Sequence, residues 1–355
     1  MNVPPGIRYD TVSRWFGEHI PGGGDAPLSF TIIGDGRSNI TYLVDNGHQT
    51  WVMRRPPLGH VLPTAHDMVR EHRVLSGLAD TDVPVPRPLA LCEDASINDY
   101  PFYVMEYKDG VIIVNELPEG YCTTPAERKA LSMGLVDTLV KLHAVDYEAV
   151  GLAGHGRPDG YLERQVRRWS QQWDANKTRE LPGIDELIRR LNKAIPASPP
   201  GTIVHGDYRL GNMILDRNDP GRVVAVLDWE MSTLGDPLSD LGYTLVYWGN
   251  VGDDEQRVRV RPTAGVTAAP GFMNRGEIVA EYARRTGRDT SHIAFYEVFA
   301  NYKLAVIVEG IYKRHLAGQT VGEGNYSGYE ASAPNLVNLA LAQADASGVP
   351  ALTGQ

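Results

Sequence analysis

The residue pattern changes character once, near Tyr107–Gly110, and that change limits the folds open to the chain. Upstream, short runs alternate apolar and polar side chains. Leu28, Phe30 and Ile32 form the first, and ITYLVDN and QTWVMRR the next two. The latter pair is joined by Asn46-Gly47, residues that tolerate the positive φ of a hairpin turn. A helix is expected from Thr64 to Leu78, carrying Glu71, and then two strands in VPVPRPLALCED and PFYVMEY. Downstream the spacing of apolar residues becomes helical. Pro125–His143 places Leu131, Leu135, Leu139 and Leu142 along one side, and Gly160–Trp173, Asp185–Ala194, Asn274–Thr286, Ser291–Leu316 and Ala333–Ala346 are further expected helices. Residues 250–273, rich in Gly, Ala, Thr and Pro, read as a long loop. A short helix Asp10–His19, with Asp10 as its cap, precedes the strands. The expected class is α+β: a lead-in at 1–27, a small β-rich lobe at 28–107 and a larger, mainly helical lobe at 108–355.

The chain has 355 residues, more than one core usually organises, so two lobes suit its length. Thirty-four basic against forty-four acidic residues give a net charge of −10, which argues against nucleic acid or a membrane surface as partner. Cys92 and Cys122 form neither a metal pattern nor a disulfide framework, so a reducing, cytoplasmic setting is expected. No apolar run reaches the roughly eighteen residues of a membrane helix, and MNVPPGIRYD lacks the shape of a signal peptide. Nothing in the sequence speaks to oligomeric state.

Chemistry concentrates in HGDYRLGN (205–212) and LDWE (227–230). Asp207 and Asn212 are five apart, and Asp228 ends the apolar run VVAVL, where a buried strand can fix it. Phosphoryl transfer from a nucleotide calls for one carboxylate to orient the acceptor hydroxyl and take its proton. A second carboxylate and an amide oxygen hold Mg2+ against the phosphates. The spacing is that of a kinase catalytic loop, H-x-D-x-x-x-x-N, followed by a metal-binding Asp. A lone HxD is ordinarily a surface turn; the joint pattern of His, Asp, Asn and a second Asp after a short hairpin is what carries the signal. No Walker A sequence is present, GDGRSN lies in a hairpin rather than at a strand-to-helix turn, and the ten His show no zinc spacing such as H-E-x-x-H.

VHGDYRLGNMILD and VLDWEMSTLGDPLSDLGY resemble the aminoglycoside phosphotransferase family of the kinase-like superfamily. WVMRRPP, REHRVL, PFYVMEY, RQVRRWSQQW and VFANYKLAVIVEGIYKR resemble one branch of it, the kinase-like domain fused to some animal acyl-CoA dehydrogenases. The resemblance covers roughly Leu28 to Gly318. It implies a protein-kinase-like bilobal fold, with a five-stranded antiparallel N-lobe over a helical C-lobe. It implies Asp207 as catalytic base, Asn212 and Asp228 as Mg2+ ligands, Glu230 as a carboxylate near the metal and His205 as a brace for the loop. Met105, Glu106 and Tyr107 would be the hinge that meets the adenine of ATP or the base of GTP.

The chain departs from the kinase pattern where a strand lysine would meet the phosphates: WVMRR offers Arg54 and Arg55. Alternation sends these to opposite faces, and the branch pattern favours Arg54, with Glu71 as its partner. In GDGRSNIT, Gly34 and Gly36 with Ser38 and Asn39 would cover phosphates through backbone N–H groups. Arg209, two after Asp207, is expected to stabilise charge on the transferred phosphate, against a simple salt bridge. Asp236 before Pro237 suits a helix cap, and Asp240 reads as structural.

The acceptor is a small hydroxylated molecule, either aminoglycoside-like or a hydroxyacyl compound. From Glu163 to Arg179 five basic residues (Arg164, Arg167, Arg168, Lys177 and Arg179) stand against two acids, which suits either an anionic acceptor or a solvated helix face. Trp169 and Trp173, four apart, suit core packing or a pocket wall, and Tyr243, Tyr247 and Trp248 are open in the same way. The alternative to an active kinase is a non-catalytic kinase-like nucleotide-binding module.

Overall fold

The structure, a computed structural model, describes residues 3–34, 39–58, 66–253, 262–318 and 328–354. The upstream part is a five-stranded antiparallel sheet: β1 (Ser29–Ile33), β2 (Ile40–Asp45), β3 (Thr50–Arg55), β4 (Pro88–Cys92) and β5 (Phe102–Glu106), in the order β1-β2-β3-β5-β4. The expected order of three strands, a helix and two strands is present, with one short helix, Ala95–Asn98, added between β4 and β5. The β2–β3 connection runs from Asn46 to Gln49. Gly47 takes φ +83° while the Asn46 side chain accepts from the backbone N–H groups of His48 and Gln49.

Helices cover both faces of the sheet. α1 (Tyr9–His19) packs Val12, Trp15 and Phe16 on one, against Phe30, Tyr42, Trp51, Met53 and Phe102. α2 (Met68–Leu78) packs Leu75 and Leu78 on the other, with Val52, Tyr103 and Met105. The period-two alternation of β3 therefore sends Trp51, Met53 and Arg55 towards α1, and Val52 and Arg54 towards α2 and the helical part. Asp10 is in the first turn of α1 rather than at its cap, and the cap position, Arg8, makes no side-chain capping bond. α2 begins at Met68, where Asp67 accepts from the Arg70 N–H; residues 64 and 65 lie outside the described ones.

In the helical part, after the Ala95–Asn98 helix (α3), α4 (Pro125–Ala144) opens with a Thr124–Glu127 capping box and buries the four leucines read from the sequence. α5 (Tyr161–Asn176) and α6 (Ile184–Lys193) follow. Two small antiparallel pairs then carry the chemistry-bearing segments. β6 (Thr202–Val204) pairs with β9 (Thr233–Gly235), and β7 (Met213–Leu215) with β8 (Val223–Val226). α7 (Leu238–Tyr247) follows the helix start expected at Asp236–Pro237, with the Asp236 side chain accepting from the Leu238 N–H at 2.9 Å, but the sequence does not mark its extent. It is buried on nearly every side, so it lacks the polar stripe that reveals a helix. The expected loop at 250–273 is corrected in part. Pro262–Thr267 forms a helical turn, α8, held where the Thr267 hydroxyl accepts from Gly249 N–H, and residues 254–261 lie outside the described ones. α9 (Arg275–Thr286), α10 (Ile293–Leu316), α11 (Tyr329–Ala346) and α12 (Pro350–Thr353) complete the chain. α11 begins four residues before its expected start. Among the described residues both cysteines are free and buried, and no helix is long and apolar enough to cross a membrane.

The sheet and the helical part are joined by polar contacts as well as by a shared core. Arg70 on α2 donates to the carbonyls of His155 (2.6 Å) and Ser232 (2.8 Å), and the His155 ring meets the Ser232 hydroxyl at 3.2 Å. Burial first, then the nearby Arg70 charge, lower His155 to about 4. A histidine held neutral in the fold charges in the unfolded chain as pH drops below its ordinary value. Stability from this site is thus complete above about 6.5 and lost as pH falls towards 4. Over that window the loss is up to about 3 kcal/mol, from about 1.4 kcal/mol per unit. Thermal melts between pH 7 and 4 are expected to show a falling midpoint that His155→Gln flattens; an unchanged slope in the variant rules His155 out as a source.

Candidate active site

Asp207 sits on a loop that its neighbours fix from several sides. The chain leaves β6, turns at Gly206 with φ +85°, and enters a 3-10 turn at Leu210–Asn212. A Cβ at Gly206 would stand 2.7 Å from the Met231 carbonyl oxygen, so backbone angle and space both require glycine there. Asp240, at the start of α7 and fully buried, accepts from His205 N–H (2.7 Å) and Gly206 N–H (2.8 Å). Burial pushes the Asp240 carboxyl up, but His143 and the Gly206 N–H outweigh it and hold it below its ordinary value. His143 is pushed down by its own burial. The pair is therefore a carboxylate and a neutral imidazole, with Nε2 3.3 Å from Asp240 and Nδ1 2.8 Å from the Tyr282 hydroxyl.

His205 bridges the loop to the next strand pair. Its Nε2 is 2.8 Å from the Leu227 carbonyl oxygen and its Nδ1 accepts from Asp207 N–H at 3.2 Å. The ring lies 4.6 Å from that of Trp229 and is closed to solvent. On Asp207 itself, the Asn212 amide donates to Oδ2 (2.7 Å) and to the backbone carbonyl (2.8 Å). Arg209 Nε lies 3.2 and 3.3 Å from the two carboxylate oxygens, and its guanidinium lies 5.1 Å from the Tyr247 ring centre. Arg209 thus pairs with Asp207 and lies over Tyr247 in this structure.

A second group of charges centres on Arg54. Arg54 reaches from β3 to Asp228 (2.9 Å) and lies 3.6 Å from Glu71. Burial works against the Arg54 charge, but the flanking Glu71, Tyr103 and Asp228 more than offset it and raise its affinity for its proton. Glu71 is almost fully buried, which raises its carboxyl; Arg54, the Tyr103 hydroxyl (2.7 Å) and the Asn39 amide (2.9 Å) oppose that. Asp228 adopts φ 68°, ψ 62°, a left-handed conformation that turns the chain at the end of β8. For a residue other than Gly this costs about 1–2 kcal/mol. Leu227 N–H donates to the Asn212 carbonyl oxygen (2.8 Å), so the two segments are tied through the backbone.

The structure brings Arg54, Glu71 and Asp228 into one cluster and Asp207, Arg209 and Asn212 into another. The Asn39 side chain bridges Glu71 (2.9 Å) and Glu230 (3.1 Å). Gly36 and Ser38 lie outside the described residues. Glu106 ends β5, with its N–H on the Arg87 carbonyl and its carboxylate 2.6 Å from Lys108, while Tyr107 is exposed. Arg54, Met105, Leu227 and Asp228 line one cleft between the sheet and the helical part. Glu71, Asp228 and Glu230 hold carboxylate oxygens within 4.8 Å of one another, and an all-oxygen set suits a hard divalent cation. Arg54 Nε, buried, lies against Glu71 at 3.6 Å, and Nη2 reaches Asp228 at 2.9 Å.

Of the five basic residues between 163 and 179, three make local contacts. Arg164 donates to backbone carbonyls of Arg157 and Asp159, Lys177 pairs with Asp174, and Arg179 pairs with Glu309. Arg167 and Arg168 are exposed. Trp169 and Trp173 are both buried, as core packing requires. One residue of this region the sequence reading did not single out: Lys303, on α10, donates to the Gly206 carbonyl oxygen at 2.7 Å. The signal available was a lone lysine inside an otherwise apolar helical run, ANYKLAV.

The chain matches the phosphotransferase enzyme family over residues 29–273. A solved structure from Ralstonia eutropha JMP134, provisionally described as an aminoglycoside phosphotransferase, is 34% identical with a TM-score of 0.78; the alignment covers 94% of this chain and 97% of that one. Acyl-CoA dehydrogenase family member 11 of Rattus norvegicus is 34% identical over 336 residues, which are 92% of this chain and 42% of the relative. The chain thus spans about two fifths of that relative's length. An aminoglycoside phosphotransferase solved with ADP and hygromycin B shares the fold at 13% identity and a TM-score of 0.62, covering 95% and 98% of the two chains. With the family matched across more than two thirds of its length and a bilobal kinase-like architecture, the chain belongs to the phosphotransferase enzyme family.

Proposed function

We propose that the chain moves the terminal phosphate of ATP or GTP to a hydroxyl of a small molecule, with Asp207 as base. The observation that carries this is the pair of clusters just described: a carboxylate at Asp207 clamped by Asn212 and Arg209, and the Arg54, Glu71 and Asp228 group, tied together by the Leu227 N–H to Asn212 carbonyl bond. A pure binding module needs the second cluster and has no use for the first.

In this reading Asp207 orients the acceptor hydroxyl. As its oxygen bonds to phosphorus and the phosphorus–oxygen bond to the nucleotide breaks, the hydroxyl proton passes to the carboxylate. Asn212, through two hydrogen bonds, holds that carboxylate in one orientation. Arg209 is close enough to trade its contact with Asp207 for the oxygens of the transferred group. Arg54 takes the phosphate-gripping role that a lysine has in kinases, and Glu71 fixes it from behind. Asp228 and Asn212, with Glu230 beside them, would hold Mg2+, which when bound neutralises phosphate charge. Met105 to Tyr107 would meet the base of the nucleotide. The acceptor is either aminoglycoside-like, as the solved relatives suggest, or a hydroxyacyl compound, as the acyl-CoA dehydrogenase relative suggests. The departure from lysine at Arg54 favours the non-catalytic reading enough to require a direct test.

Asp207→Asn is expected to lower turnover by about 10²–10⁴-fold, the usual contribution of a positioned base, with the melting temperature little changed. The assay follows nucleotide-dependent phosphate transfer across a panel of hydroxylated metabolites, acyl-CoAs and aminoglycosides; equal activity of wild type and variant would support the binding module instead. Arg209→Ala is expected to cut turnover at saturating nucleotide while leaving nucleotide binding near wild type; unchanged turnover assigns Arg209 to the salt bridge alone. Arg54→Met is expected to weaken nucleotide binding at least tenfold in calorimetry. It also destabilises the fold by about 3–5 kcal/mol, because Glu71 is left buried without its cation. Arg54→Lys should recover part of both, and an Arg54→Met protein with wild-type affinity removes Arg54 from the nucleotide site.

A further inference from the structure

The wall behind Asp207 contains a cation site that the protein fills itself. The Lys303 ammonium lies 4.4 Å from the centre of the Tyr243 ring and 5.6 Å from that of Trp169. Three different helices supply the three side chains: α5 Trp169, α7 Tyr243 and α10 Lys303. Both rings are more than nine-tenths buried, so the cation–π attraction acts with little screening by water. The same ammonium donates to the carbonyl of Gly206, the residue before Asp207. It therefore occupies the seat next to the proposed base that a positively charged acceptor would need.

Two further features have the opposite preference. Trp169 Nε1 is a buried N–H donor with no hydrogen-bond partner among the described residues, a group that costs free energy until an oxygen meets it. Arg168, exposed on the same helix, lies near enough for its charge to act on Lys303. Burial lowers the Lys303 ammonium to about 8, with Asp207 and Asp240 opposing that and Arg168 adding to it, so it is still charged at pH 7.

Resting on the reading that the acceptor binds beside Asp207, we infer that Lys303 sets the charge class of the acceptor: by filling the Trp169–Tyr243 cation seat it excludes amines and holds an oxyanion of the acceptor. The chemistry is shared by carboxylate and phosphate groups. An aminoglycoside, which is polycationic, is thereby disfavoured.

The test reads binding and needs no phosphate transfer, so it fails independently of Asp207 catalysis. The Trp169 indole N–H resonance, assigned with Trp169→Phe, is followed at pH 7 in the full chain. Tetramethylammonium chloride, sodium 3-hydroxybutyrate and inorganic phosphate are titrated separately, against sodium chloride. Wild type and Lys303→Arg are expected to show a saturable shift with hydroxybutyrate, phosphate or both, and none with tetramethylammonium; which anion acts tells carboxylate from phosphate. Lys303→Met is expected to lose anion binding by about tenfold or more and to gain a saturable shift with tetramethylammonium. The inference is overturned if wild type binds tetramethylammonium, if neither anion shifts the wild-type resonance, or if Lys303→Met binds the ammonium no better than wild type. Should Lys303→Met not fold, the wild-type and Lys303→Arg titrations decide by the same criteria.

Discussion

A carboxylate cut off from water must find its hydrogen bonds inside the protein, and Asp240 finds them in the backbone ahead of Asp207. Its two oxygens take the N–H groups of His205 and Gly206, and the His143 imidazole lies 3.3 Å from one of them. Removing any one partner strands a buried charge, so the arrangement is all or nothing. It fixes two consecutive peptide planes, and Asp207, the next residue, inherits that rigidity. Tyr208 continues it: its hydroxyl donates to Leu135 on α4 and its carbonyl accepts from Thr244 on α7. The loop is ordered because the helices behind it cannot satisfy Asp240 in any other way.

Arg54 is the complementary constraint, acting across the cleft. Its partners come from separate elements, Glu71 from α2 and Asp228 from the end of β8. Asn39 and Tyr103 complete the cluster from β2's approach and from β5. The sheet and the helical part are thus joined by ionised groups at the place where polyanionic phosphates are proposed to bind, as well as by apolar packing elsewhere. Arg55, one residue on, is equally buried but ties the opposite face of the sheet to the lead-in, donating to the Gly6 carbonyl. The pleat of a single strand separates a candidate ligand contact from a structural one.

Most of the architecture was legible in the sequence because strand alternation and helical leucine spacing are local signals. The five strands and α4 needed nothing more. Only the start of α7 was legible, in Asp236 before Pro237; the helix is surrounded by protein, so its apolar residues have no periodic gap. Strand alternation separated Arg54 from Arg55, and the family resemblance chose between them. Asp207, Asn212 and Asp228 could be named from spacing, since the loop and hairpin that carry them are short. Lys303 could not, because its meaning depends on α5, α7 and α10 converging, and no spacing within one helix encodes that. The side-chain bonds of Asn39 to Glu71 and Glu230 were not legible, because they join residues 32 and 191 positions away.

Asp228 is constrained twice, by its charge and by a left-handed backbone. Among the residues that tolerate that backbone, Asn and Gly are the ready alternatives to Asp. Both keep the turn and discard the charge. Substitution at this position in a descendant lineage would therefore leave the fold standing while abolishing the anion in one step. Drift through larger residues is closed off by strain, so a relative's letter at this place reports on retained chemistry more sharply than its overall identity does.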